Sequence, residues 1–217
     1  MGVDRTGARY IAVEGPIGVG KTALARRLAA DFGVPLVLEQ SEDNPFLRRF
    51  YEDPGKYAFQ VQLYFLLERY RQQLDLARQD GSPAGAVADY LFAKDRIFAA
   101  LNLGTDELAL YRQVYALLDQ RIPRPDLVVY LEARPDVLLR RIRKRDRDFE
   151  RAITPDYLER LTEGFRNFFY SYTDAPLLVV NCSDIDFVER SDDFADLIKE
   201  IRGMRQGVQH YIPLGSR

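Results

Sequence analysis

Residues 15–22 form the group in this sequence with the clearest chemical meaning. They are Gly-Pro-Ile-Gly-Val-Gly-Lys-Thr, which matches the pattern G-x-x-x-x-G-K-[ST]. In such a loop, backbone N–H groups surround phosphate oxygens, the lysine reaches the β- and γ-phosphates, and the hydroxyl ligates Mg²⁺. The pattern predicts an enzyme that uses ATP or another nucleoside triphosphate with Mg²⁺ and moves the γ-phosphate to a small acceptor. Lys21 is the predicted catalytic cation and Thr22 a metal ligand, and the predicted triphosphate-binding residues are Gly15, Gly18, Val19, Gly20, Lys21 and Thr22.

Apolar runs of strand length alternate with helical patterns and place this loop between a strand and a helix. The predicted strands are Tyr10–Val13, Pro35–Leu38, Ala86–Leu91, Leu127–Leu131 and Leu177–Val180. The predicted helices span about 21–32, 55–79, 105–121, 134–147, 155–172 and 187–202. Strands that are apolar throughout are typical of a parallel sheet covered on both faces. The pattern therefore predicts an α/β fold of the P-loop NTPase type: a doubly wound, five-stranded parallel sheet with helices on both faces, in one domain over residues 1–217.

Composition narrows the class of protein. Of the 217 residues, 47% are hydrophobic and 29% charged, and the formal net charge is −2, which favours a soluble protein with neither nucleic acid nor membrane as a partner. The single cysteine, Cys182, excludes an internal disulfide framework and indicates a reducing cytoplasm. The polar start of the chain does not resemble a signal peptide. The single histidine, His210, leaves no material for His-centred catalysis.

Four further segments with polar and aromatic residues follow the phosphate loop, at 38–46, 50–71, 87–98 and 140–151. In this order, and over nearly the whole chain, they resemble the deoxyribonucleoside kinases, the group that contains deoxycytidine, deoxyguanosine and bacterial deoxyadenosine kinases. The resemblance implies transfer of the γ-phosphate to the 5′-hydroxyl of a deoxynucleoside, and a homodimer. Residues 43–46 (Asp-Asn-Pro-Phe) and 89–92 (Asp-Tyr-Leu-Phe) resemble the bacterial purine branch, so we expect deoxyadenosine or deoxyguanosine as the acceptor.

Glu39 follows the second predicted strand, and the carboxyl ends of strands in such sheets face the ligand crevice. A carboxylate at this place suits a general base for the attacking 5′-hydroxyl, and Glu39 matches the base of the family. Glu42 and Asp43 are alternatives in the same acidic loop, although Asp43 also suits a helix cap.

The resemblance assigns a second set of residues to the deoxynucleoside. Tyr51 matches the tyrosine that binds the sugar 3′-hydroxyl, and Gln62 matches the glutamine that contacts the base edge. Gln60 competes with Gln62, but only Gln62 has an arginine seven residues later. That arginine, Arg69, and Asp95 match the pair found at the base in relatives that accept deoxycytidine and purine deoxynucleosides.

The segment after the third predicted strand both matches the family and departs from it. Asp89 matches the acid that helps to hold Mg²⁺ or the attacking hydroxyl. At the next position the family has an arginine, whereas this chain has Tyr90. Lys94 and Arg96 are the candidates for the missing cation.

The arginine-rich segment at about 141–151 resembles the lid of the family. Arg141 and Arg145 lie one helical turn apart, so we expect both to point at the transferring phosphoryl group, with Arg147 as a further candidate. Glu150 matches the lid acid that closes over the 3′-hydroxyl. The residues that match the adenine-contacting loop, after the last predicted strand, are Asp184, Asp186 and Phe187.

Two other functions stay open at this point. A nucleoside monophosphate kinase, such as a thymidylate kinase, has the same loop and an arginine-rich lid, but it needs cations for the acceptor phosphate where Glu39 stands. A nucleotide-binding subunit without activity would also keep the loop, and Tyr90 already breaks one signature of the kinases.

Overall fold

A parallel β-sheet forms the centre of the computed structural model, which describes residues 9–78, 85–185, 187 and 190–213. In the described residues the strands are β1 (Tyr10–Glu14), β2 (Leu36–Val37), β3 (Ala86–Ala88), β4 (Leu127–Glu132), β5 (Leu177–Asn181) and β6 (Val208–Tyr211). Their order across the sheet is β2-β3-β1-β4-β5-β6, and each neighbouring pair is parallel. The carboxyl ends of β1 and β3, on which the predicted site depends, are therefore adjacent.

Eight helices of the described residues connect and cover these strands. They are α1 (Lys21–Phe32), α2 (Leu47–Glu52), α3 (Pro54–Arg78), α4 (Asp95–Asn102), α5 (Thr105–Asp119), α6 (Pro135–Arg145), α7 (Pro155–Tyr170) and α8 (Ser191–Gly203). Short 3₁₀ helices occur at Ser41–Asp43, Phe92–Lys94 and Asp148–Ala152. None of the helices in these ranges is both long and apolar enough to cross a bilayer.

Alternate residues of each central strand enter different hydrophobic clusters. In β4, Leu127, Val129 and Leu131 pack with buried residues of α1, α6 and α8. Val128 and Tyr130 point the other way, into a cluster with α4 and α7. A third cluster joins α2, α3 and α5. This period of two confirms the predicted doubly wound sheet with helices on both faces.

The structure adds elements that the sequence patterns did not predict. The sheet has a sixth strand, β6, whose residues alternate between exposed and half-buried at the edge, so no continuous apolar run marks it. The predicted strand Ala86–Leu91 ends earlier, at Ala88, because the chain turns into the site at Asp89. Helices α2 and α4 have 6 and 8 residues, too short to show a helical period clearly.

Candidate active site

The phosphate loop lies between β1 and α1 and has the backbone that its glycines allow. Gly18 has a φ of 85°, and a Cβ there would lie 2.8 Å from the Ile142 side chain and 3.0 Å from the Leu138 carbonyl oxygen of α6. Gly20, with a φ of 108°, directly precedes the first turn of α1. Side chains at these positions would strain the backbone or strike α6. The loop is therefore shaped for close approach of a ligand to the amino end of α1.

Lys21 lies against its own loop. Its Nζ donates hydrogen bonds to the carbonyl oxygens of Gly15 (2.7 Å) and Pro16 (3.2 Å). Burial lowers the pKa of Lys21 to about 8, and the charge of Glu14 partly opposes this change. Carbonyl oxygens are weak partners for an ammonium group, so an incoming phosphate can replace them.

A cavity of about 240 Å³ opens beside the loop and collects most of the predicted site residues from distant parts of the chain. The predicted residues and named candidates that line it are Gly18, Lys21, Thr22, Glu39, Tyr51, Gln62, Arg69, Asp89, Lys94, Arg145, Arg147 and Glu150. Side chains of Phe50, Phe65 and Phe98 give it apolar walls. Polar groups that converge in a cavity with aromatic walls are typical of a site for a small organic ligand.

Glu39 is held by two cations. Its Oε1 accepts a hydrogen bond from Arg69 Nε at 2.7 Å and its Oε2 accepts one from Lys94 Nζ at 3.0 Å. Burial alone would raise the pKa of Glu39, but the charges of Arg69 and Lys94 outweigh it and hold the pKa well below its usual range. Glu39 is therefore ionised at neutral pH, as an acceptor of a proton must be.

Thr22 and Asp89 form a pair of oxygen ligands beside the loop. The Thr22 hydroxyl donates to Asp89 Oδ2 at 2.6 Å, while Asp89 Oδ1 accepts the backbone N–H of Glu39 at 2.7 Å. Mg²⁺ in phosphate sites is held by one or two protein oxygens and by the substrate phosphates, and this hydroxyl–carboxylate pair fits that ligand set. Across the described ranges no cluster of three or more His, Cys, Asp or Glu residues could hold a metal by itself.

The predicted base pocket contains buried polar side chains. Arg69 forms an ion pair with Asp95, and both side chains are buried. Gln62 is also buried and lines the cavity, whereas its competitor Gln60 is exposed. The Phe65 ring lies 4.9 Å from the Arg69 guanidinium carbon. Arg69 thus joins Glu39 to the predicted base end of the cavity.

At the other end of the cavity, Arg145 and Glu150 form a two-hydrogen-bond pair. Arg145 Nε donates to Glu150 Oε2 at 3.1 Å and its Nη2 donates to Oε1 at 2.5 Å. Burial is the largest cause that raises the pKa of Tyr51, and the nearby Tyr157 and Glu150 raise it further. The Tyr51 hydroxyl therefore stays protonated and can donate to a sugar oxygen. Arg147 pairs with Glu42 at 3.3 Å. Glu42 does not line this cavity but a neighbouring one, which shares Glu39, Ser41 and Arg147 with it.

Arg141, Asp184 and Phe187 do not line this cavity. Arg141 donates to the carbonyl oxygens of Val19 (3.2 Å), Cys182 (3.0 Å) and Ile185 (3.1 Å), so it ties the phosphate loop to the loop after β5. The exposed Asp184 pairs with Arg134 at 3.3 Å, and Phe187 is buried in the core. Asp186 lies outside the described residues.

Comparison with known proteins identifies the family of this chain. The model of the family "Deoxynucleoside kinase" matches residues 11–205. The chain belongs to the deoxynucleoside kinase family. It is 37% identical over 202 residues to a deoxyguanosine kinase of Bacillus subtilis (strain 168), covering 90% of this chain and 97% of the relative. It is 34% identical over 203 residues to a deoxyadenosine kinase of Dictyostelium discoideum, covering 90% and 80%.

The fold of this kinase also matches a solved structure. The deoxyadenosine kinase from M. mycoides with bound dATP superposes with a TM-score of 0.78 at 24% identity, covering 89% of this chain and 99% of that one. At this level of identity the match establishes the fold. Membership of the family makes the chain a phosphotransferase that acts on a deoxynucleoside and takes the phosphate from a nucleotide.

The sequence did not mark Glu14 as a site residue and marked Lys94 only as one of two candidate cations, but the structure connects both to the site. Glu14, the last residue of β1, is fully buried, and burial raises its pKa. In the sequence, Glu14 is marked only as a glutamate at the end of an otherwise apolar strand. Its spacing from other polar residues indicates no partner. Of the two candidate cations, Lys94 lines the cavity with its Nζ 5.9 Å from the centre of the Tyr90 ring, whereas Arg96 is exposed. The Tyr90 ring is itself buried, and its hydroxyl accepts a hydrogen bond from Gln73 at 3.1 Å.

Proposed function

We propose that this kinase transfers the γ-phosphate of ATP, bound with Mg²⁺, to the 5′-hydroxyl of a purine deoxynucleoside. The observation that carries the proposal is the position of Glu39, an ionised carboxylate between the phosphate loop and the Arg69–Asp95 pair. The same position argues against a nucleoside monophosphate kinase, since a carboxylate would repel an acceptor phosphate.

Each group of cavity residues has a separate proposed role in the reaction. Glu39 takes the proton of the 5′-hydroxyl while the 5′-oxygen forms a bond to the γ-phosphorus; the bond from that phosphorus to the β,γ-bridging oxygen breaks, and ADP leaves. Lys21 and Arg145 stabilise the charge on the transferring group. Arg141 supports the phosphate loop by its hydrogen bond to the Val19 carbonyl oxygen. Thr22 and Asp89 would hold Mg²⁺, which neutralises phosphate charge when bound.

Hydrogen-bond chemistry favours a purine at the base end. Arg69 donates, which suits a carbonyl such as guanine O6, and Asp95 accepts, which suits an exocyclic amino group. A buried ion pair is costly to displace, and the apolar 5-methyl group of thymine offers it no hydrogen bond in return. The names of the two relatives, a deoxyguanosine kinase and a deoxyadenosine kinase, support the same choice. Deoxyguanosine or deoxyadenosine is therefore the proposed acceptor, with deoxycytidine weaker and thymidine poor.

The test of this function is ADP release over a panel of nucleosides. We expect the highest kcat/KM with deoxyguanosine or deoxyadenosine, and a poor value with thymidine. The double variant Arg69→Met/Asp95→Ala removes both buried charges together and should weaken the purines and admit thymidine. The control Arg160→Met/Asp156→Ala removes an exposed ion pair of α7 (3.3 Å) and should leave the ranking unchanged. A wild-type preference for thymidine would contradict the proposed pocket.

The sugar end gives a separate prediction. Tyr51 and Glu150 are proposed to bind the 3′-hydroxyl, and the Tyr51 ring to crowd a 2′-hydroxyl, so ribonucleosides should be poorer substrates. Glu150→Ala should lower kcat/KM for 3′-hydroxyl nucleosides at least roughly tenfold more than for 3′-deoxy analogues, because only the former lose a hydrogen bond to a charged group. Asp148→Ala is the matched control, since this lid carboxylate is exposed and pairs with Arg151. Equal losses with both substrate classes would mean that Glu150 acts only through Arg145.

An exposed apolar stripe supports a homodimer. Leu110 and Leu117 of α5 are 51% and 69% exposed, with the half-buried Val114 between them on the same side of the helix. Leu110→Asp/Leu117→Asp should therefore convert a dimer to monomers, measured by light scattering after size exclusion. Tyr170→Asp, at a ring that is 94% exposed on α7, should leave the dimer intact. A wild-type monomer would remove the dimer from the proposal.

Two coarser expectations complete the proposed function. We place the kinase in the cytoplasm because its one cysteine is buried and free, which suits a reducing compartment. We also propose that residues 1–217 act as one domain, since the site draws on residues from the phosphate loop to the lid.

A further inference from the structure

Lys94 is almost completely buried, and its ammonium lies among carboxylate oxygens. Its Nζ is 2.9 Å from Oε1 and 3.0 Å from Oε2 of Glu39, and 4.0 Å from Oε2 of Glu14. The side chain is 3% exposed. A buried lysine is rare unless it is paired, so two carboxylates on one ammonium form a specific arrangement.

Glu14 links this lysine to the phosphate loop. Its Oε1 accepts the backbone N–H of Gly15, the first residue of the loop, at 2.9 Å. Its Oε2 accepts the N–H of Leu91 at 2.7 Å, in the segment that leads from β3 to Lys94. One fully buried carboxylate thus fixes both the start of the phosphate loop and the approach to Lys94.

Acidic and basic side chains alternate through the site. Glu14 faces Lys94, Lys94 binds Glu39, and Glu39 binds Arg69. Arg69 then binds Asp95, at the base end. Glu39 is therefore held from two sides, by one cation tied to the phosphate loop and by another tied to the base pocket. Asp89 holds Glu39 only at its backbone N–H, so without Lys94 the carboxylate group itself would keep only its contact with Arg69.

We propose that Lys94, held by Glu14, is a positioning residue that fixes the Glu39 carboxylate at a set place relative to the phosphate loop. The proposal rests on the proposed function, in which Glu39 accepts the 5′-hydroxyl proton. Lys94 acts through Glu39: it fixes where the carboxylate stands relative to the γ-phosphate held by the loop. Because a displacement of about 1 Å in such a group costs roughly a hundredfold in rate, the effect should appear in kcat.

The experiment compares Lys94→Met, which keeps length without charge, with Lys94→Arg, which keeps the charge. Steady-state kcat and both KM values are measured with the best deoxynucleoside, and folding is checked by thermal unfolding and by calorimetric titration with ATP. We expect Lys94→Met to lower kcat about a hundredfold with both KM values within about threefold of wild type. Lys94→Arg should recover at least about tenfold of that loss. Equal kcat losses in the two variants, or loss of ATP binding in Lys94→Met, would overturn the proposal by indicating a structural role.

Glu14→Gln gives a second measurement that keeps Lys94 in place. We expect it to lower kcat, and the double variant Glu14→Gln/Lys94→Met to have nearly the kcat of Lys94→Met alone, because the two residues act as one unit. Losses that multiply fully would overturn the anchoring by Glu14. If Lys94→Met does not fold, a Glu14→Gln variant with wild-type kcat, or one with weakened ATP binding, overturns the proposal, and a reduced kcat with unchanged ATP binding and unchanged nucleoside KM supports it. A wild type inactive on every deoxynucleoside overturns the proposed function and this inference together, whereas an active wild type with an unimpaired Lys94→Met variant overturns only the inference.

Discussion

Lys21→Ala is expected to lower kcat by roughly a thousandfold or more while the fold stays intact. The Lys21 ammonium now rests on the carbonyl oxygens of Gly15 and Pro16, so it stands at the inner surface of the loop where the β- and γ-phosphates would lie. Negative charge grows on the bridging oxygen as the γ-phosphate leaves, and where bound substrates exclude water a nearby cation stabilises this charge far more than water would. Alanine removes the cation and leaves the glycines of the loop unchanged.

The measurement is ADP release by the purified variant at saturating ATP and deoxynucleoside. Lys199→Ala is the control, because Lys199 lies exposed on α8 in an ion pair with Asp196 at 2.8 Å. Its kcat should equal that of the wild type. Thermal unfolding should show both variants folded, since among the described residues Lys21 donates hydrogen bonds only to loop carbonyls. Near-normal kcat in Lys21→Ala would contradict phosphoryl transfer at this loop.

Much of this fold and the place of its phosphate site could be predicted, because both depend on local patterns. Continuous apolar strands that alternate with helices imply a parallel sheet, and the carboxyl ends of parallel strands meet at one edge. This brings Glu39 and Asp89, fifty residues apart in sequence, to within a hydrogen bond of each other. The strand predicted at Pro35–Leu38 is present as the shorter β2, whose two residues are those that pair with β3. The edge strand β6 is set by its pairing with β5, which no local pattern reveals.

The directions of long side chains could not be predicted in the same way. Helical spacing puts Arg141 and Arg145 on one face of α6, yet Arg141 turns to three backbone carbonyls and Arg145 to Glu150. A guanidinium on a flexible stem reaches partners several ångströms from its Cα, and these partners are backbone groups of loops distant in sequence. Glu14 escaped prediction for the same reason, since both of its hydrogen-bond donors are backbone amides.

Glu39→Gln is the second change for which we expect a large effect, a fall in kcat of roughly a hundredfold to ten-thousandfold, the range for loss of a general base. The amide keeps the size of the side chain but cannot accept a proton at neutral pH. It also cannot accept hydrogen bonds at both ends, whereas Glu39 accepts from Arg69 at Oε1 and from Lys94 at Oε2. One of these donors must lose its bond, so the loss should lie at the upper part of the range. Nucleoside KM should change little, because Tyr51, Gln62 and the Arg69–Asp95 pair remain.

The size and kind of this effect distinguish a base from a residue that only binds substrate. A base lost from the transition state lowers kcat and kcat/KM together, whereas a lost binding contact raises KM with kcat kept. Glu159→Gln, an exposed glutamate on α7, is the matched control and should behave as wild type. If Glu39→Gln keeps its kcat, the proton goes to another carboxylate. Glu42, which pairs with Arg147, and Asp89 beside Thr22 are then the groups to replace in turn. A raised KM with unchanged kcat would instead make Glu39 a nucleoside ligand held between two cations.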